Sequence, residues 1–178
     1  MSHLPSIKDP STMHKTELLS LYAYNRWAND RIRQAAQQLS TAQLLAPAPV
    51  SFGSLRGTLV HIVLAEWLWR MRCQEAISPR SFFSEEQFPT FEALQAYWHE
   101  EEEAMHAFLV GLDEEALQRD VHYTNTQGVP FETPLWQILF HIVNHGTQFR
   151  AEAAVVLSGY GHSPGDLDYI VFVREGHE

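Results

Sequence analysis

The segment HIVNHGTQFRAE, from His141 to Glu152, carries the side chains best suited to chemistry in this 178-residue chain. If it is helical, His141 and His145 stand one turn apart on the same face, where two imidazoles can share a metal ion. On a wheel of about 100° per residue, His141, His145, Gln148 and Glu152 fall within roughly 60°. Ile138, Phe149, Ala153 and Val156 lie beside them and lead into the apolar arc of Leu135, Leu139, Ile142 and Gly146. A polar stripe on the border of a core needs partners, and either a metal or a buried hydrogen-bond network would supply them. A further imidazole, His61, sits in GTLVHIVLAEWLW among aliphatic residues. It reads either as a core histidine with its hydrogen bonds met or as a ligand reaching towards another helix. Three imidazoles from two facing helices could hold Zn²⁺, Ni²⁺ or Fe²⁺ with one position open for water or substrate.

Other chemistries find no support. The sequence has no HExxH, no CxxC pair, no GxSxG and no glycine-rich phosphate loop. A di-iron carboxylate bundle needs two Glu-x-x-His motifs, and only Glu103 to His106 supplies one. Cys73 is the single cysteine, so no intramolecular disulfide forms. It reads as a small hydrophobe in a helix core or as a redox thiol without a resolving partner.

The elements that must position these groups are four long helices. The first is predicted from about Met13 to Leu39, with Leu18, Tyr22, Ala28, Ile32, Ala35 and Leu39 near helical spacing. LLAPAPVSFGSLRG breaks the pattern, and Ser54 can cap a second helix reaching about Ile77. A loop bracketed by Pro79 and Pro89 presents Phe82 and Phe83 as exposed aromatics. A third helix follows from about Thr90 to Leu112, directing Phe91, Leu94, Tyr97 or Trp98, Met105 and Phe108 inward. Its HEEEE run, residues 99 to 103, reads as a solvated face. DVHYTNTQGVPF predicts a short hairpin from Asp120 to Phe131. Thr133 as cap and Pro134 at the first helical position start the last long helix, which stops at Gly159 or Gly161. SPGDLDYIVFVRE then packs across the bundle as an extended or single-turn segment. The predicted class is all-α: a four-helix bundle over residues 13–178 with one long crossover and a short hairpin before the last long helix. Residues 1–12 are expected to form a flexible tail.

The net charge of −10 leaves no basic excess for phosphates, which argues against a nucleic-acid or anionic-membrane partner. The N-terminus lacks the apolar run of a signal peptide, and LVHIVLAEWLWRM is too short to span a bilayer. A cytoplasmic protein with a small-molecule or protein partner is expected.

Three separated segments carry a likeness: SFGSLRGTLVHIVLAEWLW, LFHIVNHGTQFRAE and SPGDLDYIVFVRE, with YNRWAND in the first helix. Together they resemble the DinB / YfiT-like family along nearly the whole chain. The resemblance implies a bundle, usually dimeric, with a divalent metal held by three side chains at one end. It also implies kinship with bacterial enzymes in which the metal activates a low-molecular-weight thiol such as bacillithiol or mycothiol. His61 matches the ligand on the second helix, and His145 the first ligand on the last. The family's second ligand there, in a His-Arg-Gly-Gln run, falls on Phe149. Arg150 is kept, whereas Ala151 and Glu152 replace the Gly and Gln. His141, often present in the family as well, has the spacing to complete a shifted triad with His61 and His145. Glu152 or Gln148 are the other candidates to reach the ion, and Arg150 or Glu152 to orient an imidazole or substrate. The third outcome is weak or absent binding, with Phe149 filling the space.

Two functions follow from this. One is a metal-dependent enzyme, related to thiol transferases, acting on a small electrophile. The other is a non-catalytic, metal-free, stress-associated binding or interaction module, with a small molecule against Trp67, Trp69, Trp98 or Trp136. A homodimer is expected for either.

Overall fold

A computed structural model describes residues 13–176; the tail expected over residues 1–12 lies outside them. In chain order the elements are α1 (Lys15–Ala36), α2 (Thr41–Leu45), α3 (Leu55–Gln74), α4 (Phe91–Gly111), α5 (Glu114–Gln118), β1 (Asp120–Thr124), β2 (Pro130–Pro134), α6 (Leu135–Gly159) and α7 (Tyr169–Arg174). The long helices α1, α3, α4 and α6 form the bundle. Helix α6 packs on both α1 and α3, and α4 packs on α3. The fourth seam, between α1 and α4, is the least closed. Among the described residues no helix is long and apolar enough to cross a membrane.

The helix boundaries follow their caps. Ser54 Oγ accepts from Gly57 N at 2.9 Å and starts α3, while Thr90 Oγ1 accepts from Ala93 N at 3.3 Å and starts α4. Gly161, at φ +82°, stops α6: its N–H reaches Ser158 O at 3.0 Å and the His162 N–H reaches Leu157 O at 3.0 Å. The start of α6 differs from the expectation. Thr133 is not a cap but a strand residue opposite Val121, and the first helical residue is Leu135, whose N–H donates to Arg119 O at 2.9 Å. The hairpin runs straight into the helix, so backbone pairing takes the place of a side-chain cap. The C-terminal segment straps α1: Tyr24 Oη donates to Leu167 O at 2.9 Å, and Phe172 of α7 is buried against Tyr24 and Trp27.

Two expectations about α4 and its loop are corrected. Phe83 is not an exposed aromatic; it packs edge-on against Phe88 and Tyr97, while Phe82 does stay exposed. The HEEEE run is not uniformly solvated. Glu101 and Glu102 are buried, because α1 and α3 carry arginines into the bundle that need counterions. Glu101 takes both Nε and Nη2 of Arg70, at 2.5 and 2.7 Å, and Glu102 lies 2.8 Å from Arg33 Nη1.

A polar network crosses the bundle between α6, α1 and α3. Arg150 Nη1 donates to Asn25 Oδ1 at 2.5 Å and to Asn29 Oδ1 at 2.9 Å. Both asparagine amides then donate to Glu66 Oε1, at 2.8 and 3.2 Å. Gly146 makes room for it, since a Cβ there would stand 2.7 Å from Arg150 Nη1 and 3.1 Å from Asn25 Oδ1. Burial, then the nearby Glu102 charge, raises the Glu66 carboxyl pKa to about 7.

Candidate metal centre

Helices α3 and α6 bring His61 and His145 together. Their Nε2 atoms lie 3.1 Å apart, with ring centroids at 4.9 Å. In the hydrogen bond between them one Nε2 donates and the other accepts, so the two rings carry different tautomers. The same spacing suits a shared ion: bonds of about 2.0–2.1 Å at tetrahedral or octahedral angles place two nitrogens about 2.9–3.4 Å apart. Burial pulls the His61 pKa down to about 4, with the Glu152 charge opposing it. Burial, followed by proximity to His61 and His141, brings His145 to about 4. Both imidazoles are therefore neutral at pH 7, the form in which they bind metals.

His141 stands one turn before His145 on α6, its ring centroid 5.7 Å away, and its ring meets Trp69 edge-on at 5.5 Å. It is exposed on one side, and partial burial of its ring lowers its pKa. Among the described residues, no group of three or more His, Cys, Asp or Glu is already arranged around one metal position. The place beside the pair belongs to Phe149, whose ring centroid lies 4.4 Å from that of His61 and 4.6 Å from that of His145. The residues present thus offer a metal two preformed imidazoles, His61 and His145, while His141 stands one turn away on α6.

The remaining sequence candidates are placed as follows. Glu152 commits both oxygens to Ser51, accepting from its N–H at 2.8 Å and its Oγ at 2.6 Å. Gln148 is exposed. Arg150 turns inward, to Asn25, Asn29 and Thr147 Oγ1, the last at 3.0 Å. Of the four candidate tryptophans, Trp98 is fully buried, Trp67 meets Phe83, Trp69 meets Tyr123 and His141, and Trp136 packs with Trp69 against the core cluster that includes Leu135. Cys73 is buried, and burial pushes its pKa up to about 12, so it is the inert core thiol.

One group was missed from sequence. Phe52, in the loop before α3, stacks on His61 with centroids 3.8 Å apart and meets Phe149 at 5.5 Å. The loop approaches α3 this closely because residue 57 has no side chain: a Cβ on Gly57 would stand 2.5 Å from Phe52 O. Gly57→Ala is expected to push the loop off α3. Overpacking against backbone costs about 1–3 kcal/mol, more than the ~1 kcal/mol gained in helix propensity. A net loss in urea unfolding, with a loss of Phe52–His61 contacts by NMR, checks this. The signal in the sequence was a glycine inside a helix whose first turn follows an aromatic loop.

Comparison with known proteins agrees with this architecture. The sequence profile described as DinB family matches residues 13–176. The chain is also 26% identical over 167 residues to "Protein DinB" of Bacillus subtilis (strain 168), covering 87% of this chain and 94% of that protein.

Proposed function

The chain belongs to the DinB family, and from that premise we propose a divalent-metal-dependent enzyme that uses a low-molecular-weight thiol on a small electrophile. The observation that carries this reading is the His61–His145 pair, two neutral imidazoles on facing helices with Nε2 atoms 3.1 Å apart. These two residues would hold Zn²⁺, Ni²⁺ or Fe²⁺, with His141 as the third ligand. Such an ion, when bound, lowers the pKa of a coordinated thiol as it does that of water. The chain's own residues shape the surroundings. Phe52 stacks on the His61 ring and Phe149 packs against both imidazoles, giving them an apolar flank. Ser51 and Glu152 fasten the loop that holds Phe52 in place. The exposed face at His141 and Gln148 is the side open to a substrate. A homodimer in the cytoplasm goes with this reading.

The test is elemental analysis of untagged protein after incubation with Zn²⁺ and with Ni²⁺, for the parent, His61→Ala and His145→Ala. Near-stoichiometric metal in the parent, lost in both variants, is expected, together with a rise in Tm on metal addition. A parent that takes up no metal above background and shows no thermal shift would sink the reading. A second reading rests on Phe149, which packs against both imidazoles in place of a ligand. On it the protein is a metal-free binding module, and the metal-free parent is the expected result.

A further inference from the structure

The open seam between α1 and α4 holds a cavity of about 610 Å³, in the range of small-molecule sites. It is separate from the histidine pair: Glu66, at its floor, lies five residues after His61 and so about 140° around α3. The walls are apolar, from Leu19, Tyr22, Met105 and Leu109, and the floor carries two carboxylates, Glu66 and Glu102. Thr16, Ala23 and His106, all exposed, mark its mouth.

The charges in and around this space do not cancel evenly. Glu102 is answered by Arg33 Nη1 at 2.8 Å, and Arg26 at the edge by Glu103 at 2.7 Å. Glu66 is 3% exposed, and its Oε1 takes both asparagine amides. Its Oε2 accepts no hydrogen bond among the described residues, and Arg150, the cation whose charge lowers its pKa, is bonded to it only by way of Asn25 and Asn29. A pKa near 7 is what a buried acid with a second carboxylate close by and no direct cation shows. A donor placed in the cavity would satisfy Oε2, and a cationic donor would also answer the one floor carboxylate that no cationic side chain meets directly. An anion would face both carboxylates, and the chain's charge of −10 disfavours its approach.

We propose that this cavity binds a small amphiphilic amine, its ammonium group on Glu66 and its apolar body between Leu19, Tyr22, Met105 and Leu109. The probe is 4-phenylbutylamine, with the neutral 4-phenylbutanol as its match, titrated by calorimetry at pH 7.5. Placement is read from the Met105 methyl resonance, with Met71 as the methyl outside the cavity. The amine is expected to bind at least about ten-fold more tightly than the alcohol, as a charge-assisted hydrogen bond allows. Glu66→Gln is expected to erase that preference while leaving alcohol binding unchanged. Leu19→Trp, which narrows the cavity without touching the carboxylates, weakens both probes, and His61→Ala changes neither. Equal affinity for amine and alcohol, retention of the preference in Glu66→Gln, or a Met105 resonance that does not move would each overturn the proposal. So would a dimer in which a second copy shields Met105 from the probe.

Discussion

Phe149→His is expected to raise Zn²⁺ affinity by about 100-fold over the parent. Residue 149 follows His145 by one turn of α6, and its ring already touches both imidazoles, at 4.4 Å from His61 and 4.6 Å from His145. A third imidazole there would need no movement of either helix. Structural zinc sites with four ligands bind with about 10–16 kcal/mol, so one ligand contributes on the order of 3 kcal/mol, or about 100-fold. The metal-free variant should be less stable than the parent, because Phe149 is buried in the core cluster that also holds Leu59, Ile62 and Ala153, and a histidine fills that space less well. Metal should then restore the loss. Competition against a chelating indicator measures the affinity, and Tm with and without Zn²⁺ measures the exchange. His141→Ala separates the ways the ion can be held. It should weaken binding in the parent, where His141 is the proposed third ligand, and have little effect when combined with Phe149→His. An affinity unchanged by Phe149→His would mean that residue 149 does not face the ion.

The frame of the molecule was legible because its signals are local. Ser54 caps as its sequence context predicts, α4 starts at the expected Thr90, Gly161 stops α6 through its positive φ, and a hairpin forms where one was predicted, its second strand running on to Pro134. The His61–His145 meeting was legible in residue type and helix face, and the structure adds the 3.1 Å separation. What stayed hidden depends on long-range partners. The HEEEE run looks like a solvated face until Arg33 and Arg70, far away in sequence, are seen to point at Glu102 and Glu101. Arg150, kept from the family's His-Arg-Gly-Gln run, looked like a group for orienting an imidazole or the substrate, but it turns inward to Asn25, Asn29 and Thr147. Asn25 and Asn29 carried a readable hint: poor helix formers one turn apart inside a helix, with Glu66 interrupting an apolar run elsewhere. Their joint meaning, a buried network, required knowing that α1 and α3 face each other across the bundle. The cavity of about 610 Å³ above Glu66 has no counterpart in any motif, because it is a property of a seam between helices.

Removing the cation of that network is expected to have the largest effect on stability. Arg150→Met should cost about 3–5 kcal/mol, the usual range when one partner of a buried charged network is lost. The variant leaves Asn25 Oδ1 and Asn29 Oδ1 without their Arg150 donor and Glu66 without the positive charge that lowers its pKa. Glu66 also gives the loss a pH signature. Its carboxyl, ordinarily at 4.5, sits at about 7 in the folded chain, so between those values the folded protein holds a proton that the unfolded chain has released. Its contribution to stability is complete below pH 4.5 and fades as pH rises through about 7. The Arg150 charge lowers this pKa, and its removal pushes the folded value further up. The deficit of Arg150→Met relative to the parent should therefore be greater at pH 8 than at pH 5, by up to about 1.4 kcal/mol, the equivalent of one pKa unit. Urea unfolding of both proteins at the two pH values measures it. A deficit of equal size at both would show that Arg150 supports only the two asparagines and does not act on Glu66.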